Sequence, residues 1–338
     1  MSREGTRRAL VTGIGGQDGS LLAELLLERG YEVFGVVRRG STDYPNLAAV
    51  RDRVQLIGAD LLDRRSLEDT LREVQPHELY NLASVSFVPA SWDEPVLTAE
   101  FAAVGCTALL EAIRRVDEEI RFYQASSSEI FGEPQDVPQT ERTPLRPLTP
   151  YGVAKAYAHF IVGSYRRRYD LHASSGILYN HESPRRPLDF LPRKVSHAVA
   201  RIAEGLQGEL WVGDLDARRD WGWAGDSVRA MWLMLQQDEA DDYVIATGET
   251  HSVEELVSCA FDRVGLDPKD YVHVDETLRR GKTQLHDLVG DPTKAREQLG
   301  WEPTVDFDGL VALLVDADLE RVRAELRGTR DREALPPG

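Results

Sequence analysis

Ala9-Leu10-Val11-Thr12-Gly13-Ile14-Gly15-Gly16-Gln17-Asp18-Gly19-Ser20 decides the fold. Residues 9–12 form a short apolar run that reads as a buried strand. A glycine-rich turn follows, and residues 20–29 carry the apolar spacing of a helix. Glycines at 13, 16 and 19 let a backbone turn tightly and approach a pyrophosphate at a helix N-terminus. A glycine pattern alone is weak evidence and could mark a plain strand-to-helix turn. Here a second strand at 32–37 completes the βαβ context that gives the pattern meaning.

The period then repeats. Strands are expected at 54–57, 78–83, 121–125 and 173–178, with helices at 66–74, 96–114 and 151–168 between them. Strands alternating with helices predict an α/β fold: a Rossmann-type, doubly wound parallel sheet. From Asn180 the pattern breaks into a polar loop, a helix at 190–205, a short strand at 209–213 and a helix near 227–236. The second half is expected to be a smaller C-terminal substrate lobe. The dinucleotide-binding part would comprise 1–178 with parts of about 221–250. The lobe would comprise 179–220 and 251–327, and a charged tail would fray over 328–338.

In such sheets ligands bind at the carboxyl ends of the strands. Gly13, Gly16, Gln17, Asp18 and Gly19 fall on that edge, as do Arg38 after the second strand, Asp60 and Leu61 after the third, and Leu82 in the fourth. An NAD site carries an acid after the second strand, whereas a 2′-phosphate needs arginine. Arg38-Arg39, with Ser41 and Thr42 behind and no acid before Asp43, favour NADP, with NAD as the alternative; a solvated basic loop is the plainer reading. Asp60 could bond the adenine amino group or cap the following helix.

Tyr151-Gly152-Val153-Ala154-Lys155 puts a phenol and an ammonium on one helix face. A free phenol titrates near ~10, so a neutral-pH base needs roughly 4 kcal/mol of help, part of which a neighbouring ammonium supplies. Ser127 and Glu129, from Ser126-Ser127-Ser128-Glu129, would complete a proton-handling site. A Tyr/Lys pair by itself is more often a surface helix pair. It gains weight from the dinucleotide context before it.

Composition narrows the classes. The chain has 338 residues, 42% hydrophobic, with a formal charge of -17. That charge argues against nucleic acid and anionic membranes as partners. No apolar run is expected to reach ~20 residues, so no membrane span is expected. Cys106 and Cys259 are too few for a disulfide framework or a metal cluster and read as buried thiols. The basic N-terminus has no signal-peptide core, and a cytoplasmic location is expected. Against the acidic background, Arg185, Arg186, Lys194, Arg218 and Arg219 would bind a diphosphate if they cluster; the alternative is ordinary surface pairing.

These residues resemble those of a known family. The chain is similar to the extended short-chain dehydrogenase/reductases and, among them, to the GDP-mannose 4,6-dehydratases, from about residue 9 to 322. The resemblance rests on Thr12-Gly13 through Ser20, Tyr123 through Glu129, Pro150 through Lys155, Arg219-Asp220-Trp221-Gly222 and Gly290 through Ala295. Asn180-His181-Glu182-Ser183-Pro184-Arg185-Arg186 is its most specific part. It implies redox-neutral dehydration of a nucleotide-linked hexose to a 4-keto-6-deoxy sugar. Tyr151 would take the 4-OH proton, Ser127 would bond O4, and Lys155 would lower the phenol pKa and hold the cofactor ribose. Glu129 would remove the C5 proton. Ser128, where dTDP-glucose dehydratases carry Asp, leaves Glu129 as both base and acid. Substrate contacts would come from Ser84, Ser86, Asn180, Glu182, Arg186, Lys194, Arg219 and Arg279. A homodimer or homotetramer is implied as well.

Two departures concern the nucleotide. The segment Pro187-Leu188-Asp189-Phe190-Leu191-Pro192-Arg193-Lys194 replaces a family Thr-Arg-Lys run, and Arg279 through Leu285 replace an Arg-Pro-Ala-Glu-Val run. A dTDP-glucose or other NDP-glucose dehydratase therefore stays open beside GDP-mannose. A sugar 4-epimerase or a simple reductase shares Ser127, Tyr151 and Lys155 but has no need of Glu129. A non-catalytic NADP-binding sensor has no need of Tyr151 or Lys155.

Overall fold

The computed structural model describes residues 5–38, 40, 43–278 and 288–333. Arg39, Ser41, Thr42 and the 279–285 stretch with Arg279 lie outside the described residues. The first six strands are β1 (Arg8–Thr12), β2 (Glu32–Val37), β3 (Val54–Gly58), β4 (Glu78–Asn81), β5 (Arg121–Ala125) and β6 (Ala173–Leu178). After four short strands, β7 (Asn180–Glu182), β8 (Leu210–Val212), β9 (Arg218–Arg219) and β10 (Trp221–Trp223), the chain returns as β11 (Asp242–Ile245). The main sheet is parallel throughout, in the order β11-β6-β5-β4-β1-β2-β3. The order reverses between β1 and β4, which opens a crevice at their carboxyl ends. This is the doubly wound fold the sequence predicts.

Both sheet faces are covered, so the strands carry apolar side chains in both directions. Ala9 and Val11 of β1 point to one core, with helices Gln17–Glu28 and Ala224–Met234. Leu10 points to the other, with helices Arg64–Val74, Gly105–Val116 and Pro150–Tyr169. A third cluster joins helices Leu191–Ala203, Val253–Asp262 and Phe307–Glu333 around Leu210, Val212 and Trp221. Two short strands, β12 (His251–Ser252) and β13 (Val272–Val274), pair with β9 and β8.

Several local expectations change. Asn180 to Glu182, expected in a loop, form a strand because their backbone pairs with β10. The helix expected at 96–114 is interrupted by a π turn, Glu100–Val104, between Pro95–Ala99 and Gly105–Val116. The combined Pro95–Val116 run is long and apolar enough to cross a membrane, with mean hydropathy 1.7, contrary to the sequence expectation. Its alanines and leucines are there for packing: 56% of the apolar window is buried inside the fold. The last helix keeps a helical backbone to Glu333, past the point at 328 where fraying was expected. Cys106 is buried, but Cys259 is only partly so.

A buried charge ties the last helix to the second lobe. Asp318 is fully buried and accepts from Arg193 and, at 2.6 Å, from the Ser196 hydroxyl. Arg321 adds a contact at 3.2 Å. Removing the carboxylate would strand the Arg193 guanidinium away from water. Asp318→Ala is expected to lower unfolding free energy by about 3–5 kcal/mol, measured by denaturant titration.

Candidate active site

The glycine turn is shaped by steric necessity. Gly13 has φ +69°, and a Cβ there would lie 2.9 Å from the Ala83 nitrogen. A Cβ at Gly19 would fall 2.3 Å from the Gly13 carbonyl oxygen. Gly16 caps the helix Gln17–Glu28 with no side-chain bond, so its first turn keeps donors for an anion. Thr12 holds the opposite wall: its hydroxyl donates to Asn81 Oδ1 at 2.7 Å and accepts from the Leu82 and Ala83 nitrogens at 3.1 Å. The cradle fits a dinucleotide pyrophosphate.

Other cofactor candidates are distributed differently than expected. Arg38 is exposed at the end of β2, its guanidinium 5.6 Å from the Phe101 ring centre. Asp60 is exposed and accepts from the Leu62 nitrogen; Asp63, not Asp60, caps the next helix. The Leu61 side chain belongs to the core. Leu82 lines the main cavity. Gln17 is buried and spends its amide on the second lobe, donating to the His181 carbonyl at 3.1 Å and accepting from Ser183 at 2.9 Å. Asp18 meets His181 Nε2 at 2.9 Å. Burial pushes the Asp18 carboxyl up, but His181 and Arg186 outweigh it and hold it at about 2.

One cavity of about 480 Å³ brings the reactive residues together: Ser127, Glu129, Tyr151 and Lys155 line it with Ser84, Ser86, Asn180, Glu182, Arg186, Lys194 and Arg219. Thr149 caps the helix Pro150–Tyr169, accepting from the Gly152 nitrogen at 3.0 Å, and Pro150 occupies its first turn. Gly152 permits contact with the neighbouring turn; a Cβ there would lie 2.6 Å from the Glu129 carbonyl oxygen. Ser127 in turn accepts from the Glu129 nitrogen at 3.3 Å, and its hydroxyl beside the Tyr151 phenol favours the ionised phenol.

The phenol differs from expectation. Burial pushes Tyr151 up to about 12, the Ser127 bond opposes this, and the Glu129 charge adds to it. Lys155 donates to the Ala125 carbonyl at 2.8 Å, and its ammonium sits 5.6 Å from the phenol ring centre. Burial lowers the Lys155 ammonium to about 8. Desolvation therefore outweighs the help expected from Lys155.

Of the five expected diphosphate cations, three line the cavity and two do not. Arg185 pairs with Glu24 at 2.7 Å and Ser20 at 3.0 Å on the first helix, and Arg218 bonds Thr250. Arg186 lies 3.6 Å over the Phe190 ring and 3.3 Å from buried Glu182. Burial raises the Glu182 carboxyl, while Arg186 opposes the rise. Lys194 donates to the Trp211 carbonyl at 2.7 Å, and Arg219 to the Arg218 carbonyl at 2.6 Å. Sequence reading missed Phe190, Val212, Asp214 and His181 in the lining. His181 alone had a signal, its place between Asn180 and Glu182.

Comparison with known proteins shows the family. The family model described as GDP-mannose 4,6 dehydratase matches residues 10–314. The chain belongs to that family. It is 48% identical over 330 residues to GDP-mannose 4,6 dehydratase 1 of Arabidopsis thaliana, covering 94% of this chain and 91% of that one. It is 45% identical over 342 residues to the human GDP-mannose 4,6 dehydratase, covering 93% and 92%. Among solved structures it resembles dTDP-glucose 4,6-dehydratase DesIV of Streptomyces venezuelae with NAD and TYD bound, at TM-score 0.80 and 27% identity over 95% of this chain and 98% of that one. UDP-glucose 4-epimerase of Thermus thermophilus with NAD matches at TM-score 0.80 and 29% identity, covering 92% and 98%.

In this family member, Gly19→Ala is expected to reduce nicotinamide-dinucleotide affinity by at least about tenfold while leaving the far-ultraviolet circular dichroism unchanged. Fluorescence titration of the reduced cofactor checks the affinity.

Proposed function

We propose that the chain is a nucleotide-sugar 4,6-dehydratase that converts an NDP-hexose to the NDP-4-keto-6-deoxyhexose and water. GDP-mannose is the substrate in the names of its relatives. The observation that carries the reading is Glu129 beside the Ser127–Tyr151 pair in one cavity. Epimerisation and simple reduction have no use for that carboxylate. The sheet half would hold the coenzyme, and residues 179–220 with 251–327 the nucleotide sugar. Exposed Arg38 after β2 supports NADP over NAD.

Tyr151 takes the proton of the sugar 4-OH, with Ser127 bonded to the phenol and to O4. Lys155 holds the nicotinamide ribose. A nicotinamide dinucleotide held at the glycine loop would supply the hydride acceptor for C4 and the hydride donor for C6. Glu129 removes the C5 proton made acidic by the 4-ketone and gives it to the departing C6 hydroxyl. As hydride adds at C6 of the enone, C5 regains a proton, matching the one that Tyr151 removed from the 4-OH, so that one water is the net loss. Arg186, Lys194 and Arg219 hold the diphosphate.

Tyr151→Phe is expected to abolish turnover. Glu129→Gln should stop water loss, on the order of a thousandfold, while still allowing reduction of bound cofactor, seen as a rise in absorbance at the reduced-nicotinamide band. Mass spectrometry with GDP-mannose, dTDP-glucose, UDP-glucose and CDP-glucose, without added cofactor, tests the class and the base together. Loss of one water from GDP-mannose supports the reading; loss from another nucleotide corrects the base alone. Loss from none overturns it for these sugars.

We also infer a homodimer or homotetramer, working in the cytoplasm. Val153, Tyr157 and Phe160 recur on one helical face, and Phe160 is 61% exposed. Exposed Trp92, Pro95 and Ala99 face the same groove as Val153 and Tyr157. An apolar face of this extent on a soluble enzyme marks an interface. Tyr157→Glu with Phe160→Glu is expected to halve the mass measured by light scattering, with the circular dichroism retained.

A further inference from the structure

His181 bridges two groups that can only accept. Its Nδ1 lies 2.7 Å from the Tyr179 carbonyl oxygen and its Nε2 lies 2.9 Å from Asp18 Oδ2. A neutral imidazole has one N–H and one lone pair, so one of these contacts would set a lone pair against an acceptor. An imidazolium satisfies both. The competing arrangement, a neutral imidazole accepting from a protonated Asp18, is disfavoured by the other groups at the carboxyl. Gln17 Nε2 donates to Asp18 Oδ1 at 3.0 Å, and the Arg186 charge favours the ionised form.

The surrounding groups leave Asp18 as the partner of this cation. On its own segment, His181 is flanked by Glu182 and Arg186, which face each other at 3.3 Å. Asp220 and Asp226 line the same small cleft as His181. Asp220 is spent on Thr247 and Gly248, and Asp226 on Thr304 and Arg229. The paired strand β10 offers only Gly222 opposite His181.

Asp18 also acts on the catalytic pair. It lines the cavity with Tyr151 and Lys155, and its negative charge raises the proton affinity of both. We propose that His181 is a permanently charged positioning residue that neutralises Asp18 and holds its carboxylate toward the second lobe, so that the glycine loop presents no uncompensated charge to the Tyr151–Lys155 pair. Four further contacts, Gln17 with the His181 carbonyl and Ser183, and Arg185 with Ser20 and Glu24, hold the two segments in register for it.

The test has two arms, of which only the second rests on the dehydratase reading. In the first, ¹⁵N-histidine NMR of the full-length protein should show both His181 nitrogens protonated between pH ~6 and ~8, assigned by His181→Gln. In Asp18→Asn the same ring should titrate near the ordinary histidine value, ~6.5. A neutral His181 ring in the wild-type protein would overturn the proposal. In the second, His181→Gln should move the base limb of the pH–kcat profile to higher pH and lower kcat at neutral pH on the order of tenfold. His181→Gln with Asp18→Asn should return the limb towards the wild-type position. Identical profiles for the single and double variants would overturn the positioning role. If His181→Gln fails to fold, Asp18→Asn still tests it, since its base limb should not rise.

Discussion

The crevice between β1 and β4 is the constraint on which the site depends. Two strand ends must diverge there, yet their backbones must still pass within contact of each other. Thr12 meets this need by bonding Asn81 and both nitrogens that follow it, so the β4 end cannot drift. Asn81 passes the restraint on to Gln124 of β5 at 2.8 Å. Gly13 then turns with positive φ against Ala83, where any side chain would collide with backbone. A chain of polar side chains buried across three strands is costly unless every member is bonded, and these are bonded to one another. The strand ends that carry Leu82, Ser127 and Glu129 inherit their positions from that chain.

The second constraint is the fastening of residues 181–185 to the glycine loop and the helix that follows it. Gln17, Asp18, Ser20 and Glu24 present a polar stripe along the start of one helix, and residues 181–185 present its complement. This explains how so acidic a protein can keep cations for an anionic ligand. Arg185 is spent on the fastening, while Arg186 turns the other way, over Phe190 and into the cavity. Neighbouring arginines thus part ways within one tight turn, closed by the Arg186 nitrogen donating to the Ser183 carbonyl at 3.0 Å.

The fold was legible because parallel strands buried on both faces are continuous apolar runs, and those runs alternate with helical periodicity. The meeting of Ser127, Glu129, Tyr151 and Lys155 in one cavity was legible because strand ends and one helix turn bring them to one edge. What escaped the sequence depends on partners far along the chain. Gln17 and Asp18 look like loop residues offered to a cofactor until His181 and Ser183 claim them. Asp60 and Asp63 are equally good caps by type, and only the backbone angle selects Asp63. The rise of the Tyr151 phenol is a matter of burial, and burial is not a local property. The alanine-rich run at 95–116 scores as a membrane span because close helix packing and lipid favour the same small apolar residues.

The difference between a dehydratase and its epimerase-like structural relatives then reduces to one turn. The epimerase-like set needs a phenol, a lysine and a hydroxyl at the sugar C4, all of which the helix Pro150–Tyr169 and the end of β5 supply. Dehydration adds a second proton transfer at C5 and C6, and the group that performs it must be fixed relative to the first. In the proposed mechanism that group is Glu129, and the turn bearing it touches the helix Pro150–Tyr169 through Gly152, where a Cβ would lie 2.6 Å from the Glu129 carbonyl. Ser127 belongs to the same unit, accepting from the Glu129 nitrogen and placing its hydroxyl beside the Tyr151 phenol. A carboxylate placed this way needs no new element of structure. The glycine after the tyrosine lets the turn that bears Glu129 pack against the helix that bears Tyr151.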